Sequence, residues 1–189
     1  MRMFKLLGLA TLAVSAVITS ATTRAAFAAD EPDSVVVLAK HSEAKPDDPV
    51  KVVFERFKVT KATFDAKKIE GGKATLEIDT TSLKSGSEKR DAHLKTDAFI
   101  DISKFAAIVV DIDKVKKKAD KTYTAEATVK FRGVTKKYPI TFDVVDAKDD
   151  TIKIKSETPF SRADFKVGAD QKSVQDGLVI QVALTLKKT

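Results

Sequence analysis

The chain has no cysteine and no tryptophan, and it holds only two histidines and two tyrosines among 189 residues. The missing cysteine excludes disulfide staples and the thiolate ligands of structural zinc sites. With His41 and His93 as the only imidazoles, a metal or histidine-based catalytic site needs residues far apart in the chain to converge. Scarce tyrosine and absent tryptophan also remove the aromatic girdles that mark an outer-membrane barrel. No stretch is repetitive or low in complexity.

Long apolar runs are scarce too. The single uncharged one, Leu6 to Ser20, follows Arg2 and Lys5 and precedes Ala26-Phe27-Ala28. That order reads as a secretory signal peptide over 1–28, cleaved after Ala28 with Ala29 as the alternative. The run is shorter than the roughly 20 residues that span a bilayer, and no cysteine follows it to carry a lipid. A soluble exported protein in the periplasm is therefore expected, with one domain over 29–189. Loss of Arg2, Lys5 and Arg24 lowers the formal charge of +7 by three. The remaining cations are dispersed, and no face interleaves them with aromatics. Nucleic acid is accordingly not an expected partner.

What is present is two-residue alternation. Tyr123, Ala125, Ala127, Val129 and Phe131 share one face, with threonines, Glu126 and Lys130 on the other. Leu178, Ile180, Val182, Leu184 and Leu186 share a face, and so do Ala74, Leu76 and Ile78. Weaker alternation runs through 34–40, 50–57, 61–67, 108–114, 138–145 and 151–155. Turn signals at Gly71-Gly72, 118–121, Gly133, 146–150 and Gly177 separate these segments. Seven to nine antiparallel strands with short links predict a sandwich or a closed barrel.

Alternation lapses at Ser85 to Phe99, where apolar residues at Ala92, Leu94, Ala98 and Phe99 predict a helix of two or three turns. Ser85 or Ser87 is placed to cap it. The helix is expected to close one end of a barrel, with Arg90 and Asp91 pairing to neighbouring strands. Asp91 and His93 are two apart on a helix and do not face each other, and no G-x-S-x-G elbow occurs. The acidic stretches Asp111-Ile112-Asp113 and Asp146 to Asp150 lack the glycine and terminal glutamate of a calcium loop. No metal, cofactor or catalytic residue is therefore expected. Lys114, Lys116, Lys117, Lys118 and Lys121 crowd one hairpin tip. Their expected role is solubility and edge protection, with weak attraction to an anionic membrane surface as the alternative.

Four segments carry a resemblance. Arg90-Asp91-Ala92-His93-Leu94, followed by Asp97-Ala98-Phe99-Ile100-Asp101 and Lys104-Phe105, resembles the opening signature of the YceI-like family of exported, lipocalin-like proteins. Phe131 to Lys136 resembles its "RGVTK" hairpin, Ser161 to Gly168 its "RxxFxxG" segment, and Asp176 to Lys188 its closing strand. The resemblance implies an eight-stranded antiparallel lipocalin-like barrel with one short helix near Ser85–Phe99. It also implies binding of an isoprenoid, quinone-like or other long apolar chain in the lumen, without catalysis. It makes Arg90, Asp91, His93 and Leu94 a structural motif.

Large apolar residues on the inward faces then give the expected ligand-binding set: Phe54, Phe57, Phe64, Leu76, Tyr123, Phe131, Phe142 and Phe160. Two other readings stand beside this one. The first is a periplasmic protein-interaction or stress-response module with a packed core, and the second is a small hydrolase or isomerase using His93.

Overall fold

The computed structural model describes residues 31–42 and 48–189. The leader expected at 1–28 and its cleavage site lie outside the described residues. In chain order the strands are β1 (Ser34–Ala39), β2 (Val50–Phe54), β3 (Phe57–Asp65), β4 (Lys68–Asp79), β5 (Leu83–Lys84) and β6 (Ala107–Ala119). They continue as β7 (Thr122–Phe131), β8 (Val134–Lys148), β9 (Thr151–Ser161) and β10 (Gly177–Lys187). One helix, α1 (Glu88–Leu94), interrupts them. All the strand pairs are antiparallel, in the order β3-β4-β6-β7-β8-β9-β10-β1-β2-β5.

The strand count differs from the expected eight, for a local reason. The segment predicted as one strand from Val50 breaks at Glu55-Arg56, where Ser82 holds the bend. The Glu55 N–H donates to the Ser82 carbonyl (3.3 Å) and the Arg56 N–H to Ser82 Oγ (3.0 Å). Leu83–Lys84 adds a two-residue strand beside β2. Because β2 and β3 are consecutive pieces of one bent strand, the two ends of the sheet are joined through Glu55 and Arg56. The Thr189 N–H donates to the Ala62 carbonyl (2.9 Å), tying the end of β10 to β3. The sheet thus curls into a lipocalin-like barrel with eight positions round its wall, taking β2 and β3 together and setting β5 aside.

The pleat decides what lies inside. Along β7 every odd residue is buried and its even neighbours are not, so the face read from the alternation is the inner one. Two bulges reverse that parity elsewhere. In β6 the inward residues are Ile108, Val110 and Ile112, but after Lys114, held at φ 55, the inward residue is Val115. In β3 the register shifts between Val59 and Lys61, and the inward set changes from Phe57 and Val59 to Ala62 and Phe64. An inserted residue moves all later side chains to the opposite face.

Hairpin turns follow turn chemistry. Arg132 (φ 49) and Gly133 (φ 72) make the two-residue turn between β7 and β8, the conformation that matches strand twist. Between β6 and β7, Lys121 sits at φ 58, the left-handed position that a bulged two-residue turn gives to glycine. Lys121→Gly is therefore expected to raise the urea midpoint, by about 0.5–1 kcal/mol of stability. An unchanged or lowered midpoint contradicts this account of the turn.

Candidate functional site

The interior is not filled. A cavity of about 250 Å³ runs through the barrel, walled by inward residues of nine strands. Ala74 and Ala127 are small where other strands carry Ile or Leu, and they leave the room between Val110, Ile140, Ile154 and Val182. Its few polar neighbours satisfy one another. Ser156 Oγ donates to the Thr141 carbonyl (2.9 Å) and lies 3.2 Å from Thr158 Oγ1. Groups so paired do not oblige water to enter, and an apolar cavity of this kind stays dry or takes up apolar molecules.

Six of the eight residues expected to contact a ligand meet at this cavity: Phe54, Phe64, Leu76, Phe131, Phe142 and Phe160. Two do not. Phe57 stands at the bend after Arg56, half-buried and packed against the core. Tyr123 stacks on Phe142 with ring centroids 5.6 Å apart and fills the barrel end beyond the cavity. Choosing residues for size overlooked the aliphatic wall, notably Val35, Ile108, Val110, Ile154 and Ile180. The alternation at 178–186 and 108–112 carried that signal.

The opposite end is closed by three of the sequence motifs together. Ser87 caps α1, its Oγ accepting from the Arg90 N–H at 3.4 Å. Arg90 and Asp91 do not pair with neighbouring strands as expected; both turn back onto Ser85, because the chain before the helix folds over its first turn. Asp91 Oδ1 accepts from the Ser85 N–H (2.7 Å) and hydroxyl (2.5 Å). Arg90 donates to Ser85 Oγ (2.9 Å) and the Ser85 carbonyl (2.6 Å). The Ser85 hydroxyl holds the Asp91 carboxyl below the ordinary aspartate value of 3.8. His93 is exposed and sets its ring edge against Phe99, with centroids 4.9 Å apart. Leu94 is half-buried against the core, and its carbonyl accepts from the Ile100 N–H at 3.1 Å.

Phe99 then meets the third motif. A methyl group built on Gly168 (φ 57) would lie 2.8 Å from the Phe99 ring, so only glycine fits there. The Gly168 N–H donates to the Ala98 carbonyl (2.8 Å). Arg162, buried among these segments, gives its guanidinium N–H groups to five backbone carbonyls. These belong to Gln175 (3.0 Å), Val167 (2.7 Å), Gln171 (2.9 Å), Val174 (2.8 Å) and Gly168. From the hairpin motif, Arg132 donates to the carbonyls of Asp97 and Phe99 and lies over the Phe105 ring. Beneath them Phe165 is wholly buried and stacks on Phe160 at 5.2 Å.

One polar pair in this end had no sequence signal. The Tyr138 hydroxyl donates to Asp164 Oδ2 at 2.6 Å. Burial, then the bonded carboxylate, push the tyrosine well above its ordinary 10.0. The tyrosine hydroxyl and Lys136 hold Asp164 below 3.8.

The two histidines stand apart. The His41 ring Nδ1 lies 3.2 Å from the Ser173 carbonyl, while His93 packs on Phe99. Asp91 is occupied by Ser85 and orients neither. Among the described residues no group of three or more His, Asp or Glu side chains is placed to hold a metal ion.

An antiparallel barrel, capped at one end and hollow in its apolar middle, is lipocalin-like in architecture. The YceI-like domain model matches residues 18–186, and the chain belongs to that family. A UPF0312 protein of Vibrio campbellii is 33% identical over 88 residues, 47% of each chain. The chain therefore aligns with about half the length of the curated relatives it matches. Among solved structures, Burkholderia cenocepacia BcnA superposes with a TM-score of 0.73 at 18% identity, covering 82% of this chain and 96% of that one. A polyisoprenoid-binding domain from Saccharophagus degradans, implicated in plant cell wall breakdown, gives 0.65 at 13% identity, covering 83% and 94%. At these identities both likenesses show the fold.

Two outcomes check the capped end. Gly168→Ala is expected to destabilise by more than about 1 kcal/mol, because it adds both a left-handed penalty and a clash with Phe99; a urea midpoint within error of the parent contradicts the packing. Asp164, with its lowered value, contributes stability above 3.8 that is lost as pH falls. Tyr138, with its raised value, contributes stability below 10.0 that is lost as pH rises. Tyr138→Phe should flatten the pH profile of the urea midpoint on both flanks, and an unaltered profile contradicts the pair.

Proposed function

We propose that the protein carries or stores one long apolar chain, of the isoprenoid class, inside its barrel in the periplasm, and catalyses nothing. The observation that carries this reading is the apolar cavity between Val35, Val110, Ala127, Ile154 and Val182. A packed-core module would fill that space with larger side chains than Ala74 and Ala127. Each methylene moved from water into such a space contributes about 0.8 kcal/mol, so a chain binds without any charged anchor or cofactor. Further support comes from the Saccharophagus degradans domain of the same fold, which is described as binding polyisoprenoid. Asp91, the carboxylate nearest His93 in sequence, is bonded to Ser85 rather than placed to orient an imidazole.

Organic extraction of the purified protein followed by mass spectrometry is expected to release a long-chain lipid in near-stoichiometric amount. Ala127→Phe, which fills the middle of the cavity, should abolish that recovery and uptake of added geranylgeraniol while leaving the strand signature in circular dichroism intact. A lipid-free extract from the parent protein that also fails to take up geranylgeraniol overturns the reading.

A further inference from the structure

We propose that the cavity is loaded sideways, through a cleft between β4 and β6, and that lysines on the two lips of the cleft hold the anionic head of the bound chain. This rests on the reading of the interior as a lipid site, and adds where the chain enters and what head it carries.

The wall is incomplete at this place. β4 and β6 pair only from Ala74 opposite Ile112 to Asp79 opposite Ala107. Beyond that point Lys73 and Lys68 pair with β3, and Lys116, Lys117 and Ala119 with β7. The two strands therefore part beyond this point, with no ladder pair between 68–73 and 113–119. Left-handed residues mark both departures, Gly71 at φ 77 and Lys114 at φ 55. Bulges of this kind bend a strand out of its ladder.

The cavity reaches the cleft. Gly72, Lys73 and Thr75 border it as well as Ile112 and Val115. Lys73 is exposed, and the Thr75 hydroxyl donates outward to Asp111 (2.9 Å). Their backbone belongs to the stretch of wall where the ladder between β4 and β6 ends, so the cavity borders the cleft here. Both barrel ends are packed with buried side chains among the described residues. One is locked by Arg162 and Phe165, and at the other Tyr123, Phe142, Val144 and Ile152 are all buried.

The lips are cationic. Across 65–73 and 113–121 there are eight lysines and four acids. Lys73 stands on one lip, and Lys116 and Lys117 on the other, all exposed and without an ion pair to a described carboxylate. Lys117 lies opposite inward-facing Tyr123 in the register, so the pleat aims it at the opening. A carboxylate or phosphate cannot follow its chain into an apolar interior without losing its hydration. Held at the lips, it keeps water and gains the lysines.

Three ligands with one chain and different heads test this: geranylgeraniol, geranylgeranoic acid and geranylgeranyl monophosphate, titrated into solvent-extracted protein at low and high salt. Both anionic ligands are expected to bind the parent more tightly than the alcohol at low salt, with the margin shrinking as salt rises. Joint Lys73→Glu and Lys117→Glu should weaken the anionic ligands about fivefold or more and leave the alcohol unchanged. The control, Lys89→Glu with Lys172→Glu at the capped end, should change neither. The anionic ligand that loses more affinity carries the head that the lysines hold, and a loss for either supports the site. Equal affinity for all three heads, or an equal loss in the control, overturns the head site. A bulky maleimide on Lys73→Cys should slow uptake of all three ligands, and one on Lys172→Cys should not; equal rates overturn sideways loading. Geranylgeraniol binding to the parent reads the cavity alone, so its failure removes the cavity reading and this proposal together, whereas its success with the other failures removes only this one.

Discussion

The hollow barrel depends on one buried cation. Arg162 carries its guanidinium into the end of the barrel, and among the described residues no carboxylate pairs with it. Instead it donates to five backbone carbonyls between Val167 and Gln175. A guanidinium has five N–H donors, so each can be satisfied and the cost of burying the charge is offset by charge-assisted bonds. In return the carbonyls fix a segment that has no helix or strand of its own. That segment presents Gly168 to Phe99, and Phe99 brings the chain around α1 down over the barrel end. A lysine, with one ammonium and no planar fork, has no equivalent geometry.

From this cap the emptiness of the middle follows. Side chains fill both ends, Phe165 with Phe160 and Phe131 at one and Tyr123 with Phe142 at the other. The rigidity of the ends permits small residues between them. Without such closure, a wall of Ala74 and Ala127 facing Ile and Val would be free to collapse, since interiors pack to high density wherever they can. The histidine and the Arg-Asp pair near α1, which look like chemistry in the sequence, belong to this closure. The Arg-Asp pair bonds Ser85, and the imidazole packs on the Phe99 ring.

Strands and their inner faces were largely legible in the sequence, because a half-buried strand must alternate: β7 does so in burial over its whole length, and the inner face of β10 carries Leu or Val or Ile at every second position from Leu178 to Leu186. The helix and its serine cap were legible for a similar local reason. Parity was lost at bulges. Lys114 in the left-handed region looks like any other lysine in a run of lysines, so nothing announced that Val115 would replace the even residues inside β6. The separation of Tyr123 from the cavity was hidden because size predicts burial and not depth along a barrel. The acceptors of Arg162 were invisible for a more general reason, since every residue carries a carbonyl and the sequence does not say which ones will converge. The family resemblance supplied the motifs, and the coordinates show that three of them are parts of one cap.

Ligand storage requires a barrel interior that is hollow and apolar. Xenon, which enters dry apolar cavities and little else, tests it most directly in pressurised crystals of solvent-extracted protein. Xenon density is expected inside the barrel, in contact with Ala127, Val110 and Ile154. An interior without xenon, closed by side chains drawn in around Ala74 and Ala127, would contradict it.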